Sequence, residues 1–240
     1  MDVQRWTERK SRLAVLDGFE FFTLCRRVDV PAGEAVDFDY ISFTVWENKK
    51  SFNAWRTGEA FKEAHGGGSL WGFVSMIVTS LSILKGPPKP AFYEGLRAER
   101  VAAQEQPEVV EGWRSIESDG VKPLPAECYV EGHKYVVLPG QAAAFEAAYA
   151  AQERELSALP GFRFQSLLRR DAGKGEKKGH GDDPGMDADG VNYMAVSIWQ
   201  DKAAFEQAKE QMEGLKIKSA ELVKYQPQPI YYEGMLVLEN

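Results

Sequence analysis

Cysteine is scarce in this chain of 240 residues: only Cys25 and Cys128 occur. Two are too few for a disulfide framework, and they lack the close spacing of a metal site. They read as free thiols buried in a core. Long hydrophobic runs are also missing. The most apolar stretch, Leu70–Leu84, is interrupted by Ser75, Thr79, Ser80 and Ser82, and it falls short of the roughly 20 apolar residues that cross a bilayer. The N-terminal MDVQRWTERK has no apolar core of the kind a secretory signal carries. Positive charge is not in excess either. The net charge of -7 argues against a nucleic-acid partner, which would require a basic stripe. These absences point to a soluble protein with no membrane span, in a cytoplasmic or plastid setting.

What the sequence has is aromatic residues, at 12%, within 44% hydrophobic and 27% charged residues. That is a globular composition with enough rings to line a flat apolar pocket. It also repeats itself. RLAVLDGFEFFTLCRR (Arg12–Arg27) matches ELSALPGFRFQSLLRR (Glu155–Arg170). DYISFTVWENKKSFNAW (Asp39–Trp55) matches NYMAVSIWQDKAAFEQA (Asn192–Ala208). KPAFYEGL (Lys89–Leu96) matches QPIYYEGM (Gln228–Met235). The order is the same in both halves, which is the signature of an internal duplication. Each half also carries an insertion: Gly66–Pro88 in the first and the Gly-rich Asp171–Gly190 in the second. Insertions of this kind belong in loops or lids.

Each repeat reads as helix, strand, strand, helix, strand. In the second, Phe145, Ala148, Tyr149, Gln152, Leu156 and Leu159 keep a helical spacing that Pro160-Gly161 ends. Phe162–Arg170 and Tyr193–Trp199 alternate as strands, Asp201 caps a helix Lys202–Met212, and Ile230–Leu238 closes the unit. The first repeat has Asn48 at the matching cap, a second helix within Ser51–Ala64, and a closing strand Ala91–Leu96. Cys128–Leu138 adds an opening strand to the second repeat only, making it β-α-β-β-α-β, the split-βαβ order. The first repeat begins inside its first helix, so an N-terminal truncation is expected, because a missing strand leaves an unpaired edge. The domain reading is therefore 1–96 for repeat 1, 97–127 for a linker and 128–240 for repeat 2. Within the linker, Arg97–Gln106 is polar and helix-prone, and Trp113 is expected to pack on a sheet.

These blocks resemble the antibiotic-biosynthesis-monooxygenase superfamily. The Gly-Phe after the first helix, the Trp that closes the third strand and the Phe-x-x-Trp of the second helix carry the likeness. The resemblance implies an α+β fold in which tandem ferredoxin-like repeats form an intramolecular dimeric α/β barrel. One stretch is more specific. VWENKKSFNAWRTGEAFKEAH (Val45–His65) resembles the IsdG-type haem-degrading monooxygenases, which have a Trp on this helix and, ten positions later, a His that ligates haem iron. The resemblance implies Trp55 and His65 as catalytic residues, His65 as the axial iron ligand, and haem as both cofactor and substrate. Oxygen and an external electron donor or reductase would complete the reaction. That family also uses an Asn on the opening strand. The first repeat lacks that strand, and in the second the matching position is His133. Trp55 aligns with Ala208 and His65 with Lys218, so the second repeat carries a degenerate site.

The residues themselves suit that chemistry. Haem needs a flat apolar slot and one axial donor, usually a neutral imidazole. Phe52, Trp55, Phe61, Leu70, Trp71 and Phe73 surround His65 in sequence, with Phe52, Phe61 and Trp71 as the expected cofactor contacts. Ten residues on a straight helix would hold Trp55 and His65 roughly 15 Å apart along the axis. Gly58 can break the helix, and Thr57 can cap a second short helix, Glu59–Ala64. Arg56 or Lys62 could pair with haem propionates.

Blander roles are available for the same residues. His65 near a helix C-terminus suits the dipole, and a Trp is a large core-filler. His133 reads as structural. His180 lies in a polar loop whose Asp182, Asp183, Asp187 and Asp189 do not have Ca²⁺-loop spacing. Two alternative functions remain: a cofactor-free monooxygenase of an aromatic or quinol substrate using the same pocket, and a non-catalytic haem-binding protein.

Overall fold

The computed structural model describes residues 13–34, 38–64, 89–100, 114–115, 128–156, 158–171, 184–215 and 221–239. It is a mixed α+β fold in which one antiparallel sheet curls into a half-barrel. The strands are β1 (Phe19–Val28), β2 (Tyr40–Trp46), β3 (Phe92–Arg100), β4 (Arg114–Ser115), β5 (Tyr129–Tyr135), β6 (Phe162–Asp171), β7 (Tyr193–Trp199) and β8 (Pro229–Glu239). The helices are α1 (Lys49–Thr57), α2 (Glu59–Ala64), α3 (Ala142–Leu156) and α4 (Lys202–Leu215), with a 3-10 turn at Leu13–Val15.

Alternation of side chains along each strand divides the sheet into two faces. The concave face collects Phe21, Cys25, Cys128, Val130, Phe164, Met194, Val196, Ile198 and Tyr232 into one core. The opposite face of the second half is covered by α3 over Phe145, Tyr135 and Tyr193, and by α4 over Tyr129, Trp199 and Phe205. β7 is covered on both sides and is buried at every position. Cys25 and Cys128 are free and buried, as the composition implied. Their hydrogen bond to each other and their burial push the Cys128 thiol up, so it stays protonated and unreactive.

The strand order is β2-β1-β8-β5-β7-β6-β3. Within the second half, β8-β5-β7-β6 is the split-βαβ arrangement. The closing strand of each half pairs with the other half: β8 with β1, and β3 with β6. Local contacts recur at matching positions. Gly18 (φ 72) and Gly161 (φ 76) both take the left-handed conformation. A Cβ at Gly18 would meet Ser51 Oγ at 2.4 Å, and one at Gly161 would meet Ala204 Cβ at 2.4 Å. Each glycine thus admits the first turn of the following helix. Asn48 accepts from the Ser51 N–H at 3.0 Å, and Asp201 accepts from the Ala204 N–H at 2.8 Å, the N-caps expected from the sequence. Asp29 holds Lys202 of α4 at 2.6 Å, and Asp171 holds Lys49 of α1 at 2.5 Å, so each half reaches the other's helix.

Several boundaries differ from the sequence reading. β3 runs on to Arg100, so the start of the expected helix-prone linker is strand. Pairing decides it: Glu99 and Arg100 lie opposite Gln165 and Phe164, and a ladder partner overrides weak helix propensity. β4, inside the expected linker, pairs with β8. Trp113 lies outside the described residues. No strand precedes β1 among the described residues, and β2 and β3 form the two ends of the sheet.

Candidate functional site

The first half's aromatic site is assembled by α1 and the bend that follows it. Asn48 starts α1, and Gly58 ends it, its N–H bonding the Trp55 carbonyl at 3.0 Å. The chain then restarts as α2 at Glu59. The break at Gly58 is the one the spacing required, but Thr57 does not cap α2. Its hydroxyl donates back to the Asn53 carbonyl at 2.9 Å, as Thr does within a helical turn. The Gly58 carbonyl accepts from the Lys62 N–H instead. The bend folds Phe61 against Trp55, ring centroids 5.0 Å apart and edge-on.

Trp55 also stacks on Trp46 of β2, at 5.3 Å and 29°, and meets Phe52 at 5.8 Å. Phe52 in turn spans the two ends of the sheet, touching Trp46 on β2 at 6.4 Å and Phe92 on β3 at 5.6 Å. The result is a box of five aromatic residues, each half-buried. Arg56 lies at its rim, its guanidinium 5.6 Å from the Phe52 ring and 5.9 Å from Phe92. Lys62, the other cation considered for a propionate, is held by Glu59 at 2.6 Å. Trp46 and Phe92 were missed as site residues because they lie on strands far apart in sequence.

The second half shows what closes such a box. There Phe205 meets Trp199 at 6.0 Å and Tyr231 at 5.5 Å, the contacts that Phe52 makes with Trp46 and Phe92. Tyr129 of β5 enters between them, 5.0 Å from Phe205 and stacked on Tyr231 at 5.7 Å. Trp199 and Phe205 fall to 0% and 1% exposure. Ala208, at the place of Trp55, is buried beside them. The first half has no such strand among the described residues, and its rings are left partly open with Trp55 laid over Trp46. Of the expected site, the structure brings together Phe52, Trp55 and Phe61. His65 and Trp71 lie outside the described residues, as does Lys218; α2 ends at Ala64, the residue before His65.

Residues 3–67 match the antibiotic biosynthesis monooxygenase (ABM) family. This segment contains α1, α2 and four of the five aromatic residues of the box. No curated protein matches the chain. Among solved structures, an anthrone oxidase-like protein aligns over 99% of this chain and 85% of its own, at TM-score 0.56 and 14% identity. A provisionally assigned monooxygenase of Fusobacterium nucleatum subsp. nucleatum aligns over 99% and 85%, at TM-score 0.58 and 9% identity. Another from Lactobacillus acidophilus aligns over 91% and 79%, at TM-score 0.52 and 12% identity. At these identities the likeness is one of fold, and it extends well beyond the ABM segment.

Among the described residues no group of His, Cys, Asp and Glu could hold a metal ion. No described helix is long and apolar enough to cross a membrane.

Proposed function

We propose that the chain is a duplicated ABM module acting as its own dimer partner, and that it is a monooxygenase of a planar ring bound against Trp55. The recurring glycine, cap and aromatic contacts, together with the exchange of closing strands, support the duplication. The observation that carries the function is the half-open box around Trp55, whose counterpart in the second half is filled by Tyr129.

In the reading we favour the ring is haem. The residues present fit it. The box offers flat apolar faces, Arg56 offers a cation at the rim for a propionate, and His65 follows α2 directly with an imidazole for the iron. Bound there, haem would supply oxygen activation at iron, given an external reductant. The chain's own residues would do the rest. His65 would hold the metal in its neutral form, the aromatic residues would exclude water, and Trp55 would press on the macrocycle, since distortion is one of the protein's controls on haem reactivity. An absorption titration with hemin tests this: a Soret band that saturates is expected, and bleaching on adding ascorbate and oxygen would show turnover.

A second reading is favoured by the fold shared with an anthrone oxidase-like protein over nearly the whole chain. Here the same box holds an electron-rich aromatic substrate without a cofactor. Oxygen consumption with an anthrone and no added hemin would select it. A hemin-binding protein that does not bleach would be a haem binder without this chemistry.

A further inference from the structure

The second half, empty of Trp55 and of an aligned histidine, carries a different set of polar groups on the face beneath its helices. Gln165 on β6 lies opposite Ser197 on β7, which lies opposite Glu131 on β5, which lies opposite Tyr231 on β8. Residues directly opposite on neighbouring strands share a face, so these four form one row across the sheet. The row faces the helices, because Tyr231 meets Phe205 of α4 and Ser197 Oγ accepts from Trp199 Nε1 at 3.0 Å. His133, one step along β5 on the same face, places Nε2 3.2 Å from Glu131 Oε1.

Gln165 is the anomaly in this row. It is 1% exposed, and neither its amide nitrogen nor its amide oxygen has a hydrogen-bond partner. Each unsatisfied buried group costs about 1–3 kcal/mol. The fold does not demand a polar residue there. In the first repeat the matching position is Phe22, buried in an apolar cluster. A donor and an acceptor have thus been placed, side by side, where a phenyl ring would pack.

We infer that the second half holds its own binding site, for a flat nitrogen heterocycle with a lactam edge, of about the size of a pterin or purine base. An adjacent ring N–H and C=O complement the Gln165 oxygen and nitrogen together, which a lone hydroxyl cannot do. The Glu131 carboxylate, one of whose oxygens faces His133, accepts a further N–H from the ring. Tyr129, Tyr231 and Trp199 supply aromatic faces alongside the row. Burial and the nearby Glu131 charge push the Tyr135 hydroxyl up, which keeps it a proton donor beside the same carboxylate. The site is separate from the Trp55 box and does not depend on haem binding there.

The test is a fluorescence titration of the full chain with lumazine, a pteridine-dione that carries such an edge, with 1,3-dimethyl-lumazine as the control. Saturable binding of lumazine is expected, at least tenfold tighter than the methylated control. It should persist in Trp55→Ala and weaken at least tenfold in Gln165→Leu and in Glu131→Gln. Gln165→Leu also removes an unsatisfied amide, so it is expected to fold and to melt no lower than the wild type, while losing the rise in Tm that lumazine gives. Absence of binding, equal binding of the methylated control, or binding lost in Trp55→Ala but kept in Gln165→Leu would overturn the proposal. Failure of the haem reading would leave the lumazine result unchanged.

Discussion

At the scale of single residues, the proposed roles of His65 and Trp55 separate cleanly. His65→Ala is expected to abolish the Soret band in a hemin titration, because it removes the directional bond to the metal. Trp55→Phe is expected to retain binding, since it keeps most of the apolar area at roughly 25 cal/mol per Å², and to slow bleaching of the ring. Asp29 offers a test of how the halves are tied. Its carboxyl is held below the ordinary value of 3.8, first by the hydrogen bond from Lys202 and then by the Tyr129 hydroxyl, against some burial. A depressed carboxyl stabilises the fold above its unfolded pKa and loses that contribution as pH falls through the lower folded value. Asp29→Asn should therefore lower Tm at neutral pH, and the difference from the wild type should vanish in strong acid. A difference that persisted there would assign the effect to packing. Trp55, Phe52 and Phe61 were legible in the sequence through their spacing. Gln165 was not, because a glutamine in an alternating strand looks like any solvent-facing residue until its burial is known.

At the scale of elements, the strands and caps followed from alternation, glycine and capping chemistry. β7 was read to the residue, and Asn48 and Asp201 cap the helices as expected. The boundary of β3 was not legible, because its last residues are strand only by virtue of their partners on β6. The arrangement around Gly58 is the element on which the candidate site depends. Gly58→Ala would place a Cβ 2.9 Å from the Ala54 carbonyl oxygen and favour running α1 into α2. The expected result is a loss of the Trp55–Phe61 contact, read as a shift in tryptophan emission, with weaker hemin binding and little change in overall helicity. Gly161→Ala is a more severe change. The left-handed backbone and the approach of Ala204 at 2.4 Å together are expected to cost about 2 kcal/mol, measurable by urea denaturation. A neutral outcome would mean that α4 is not seated on that turn.

At the scale of the whole molecule, the exchange of closing strands makes each half incomplete alone. β1 has β8 as a neighbour and β6 has β3, and the concave core draws on both halves. Unfolding should therefore be a single cooperative transition, with coincident urea midpoints for tryptophan emission and far-ultraviolet dichroism. Two separated transitions would mean that the halves fold independently. The repeat was legible from three matched blocks, but the crossing of the strands was not, because local pattern does not specify which strand a closing strand joins. Nor did the sequence reveal what the absence of an opening strand does. In the second half Tyr129 seals the aromatic box, and in the first half the box stays partly open, which gives the molecule one open aromatic box.

That asymmetry is the central claim, and the stoichiometry of hemin binding tests it most directly. An absorption titration of the full chain should reach saturation at one haem per chain, with a single Soret species that is lost in His65→Ala. Saturation at two haems per chain, or a Soret band unchanged in His65→Ala, would contradict the account.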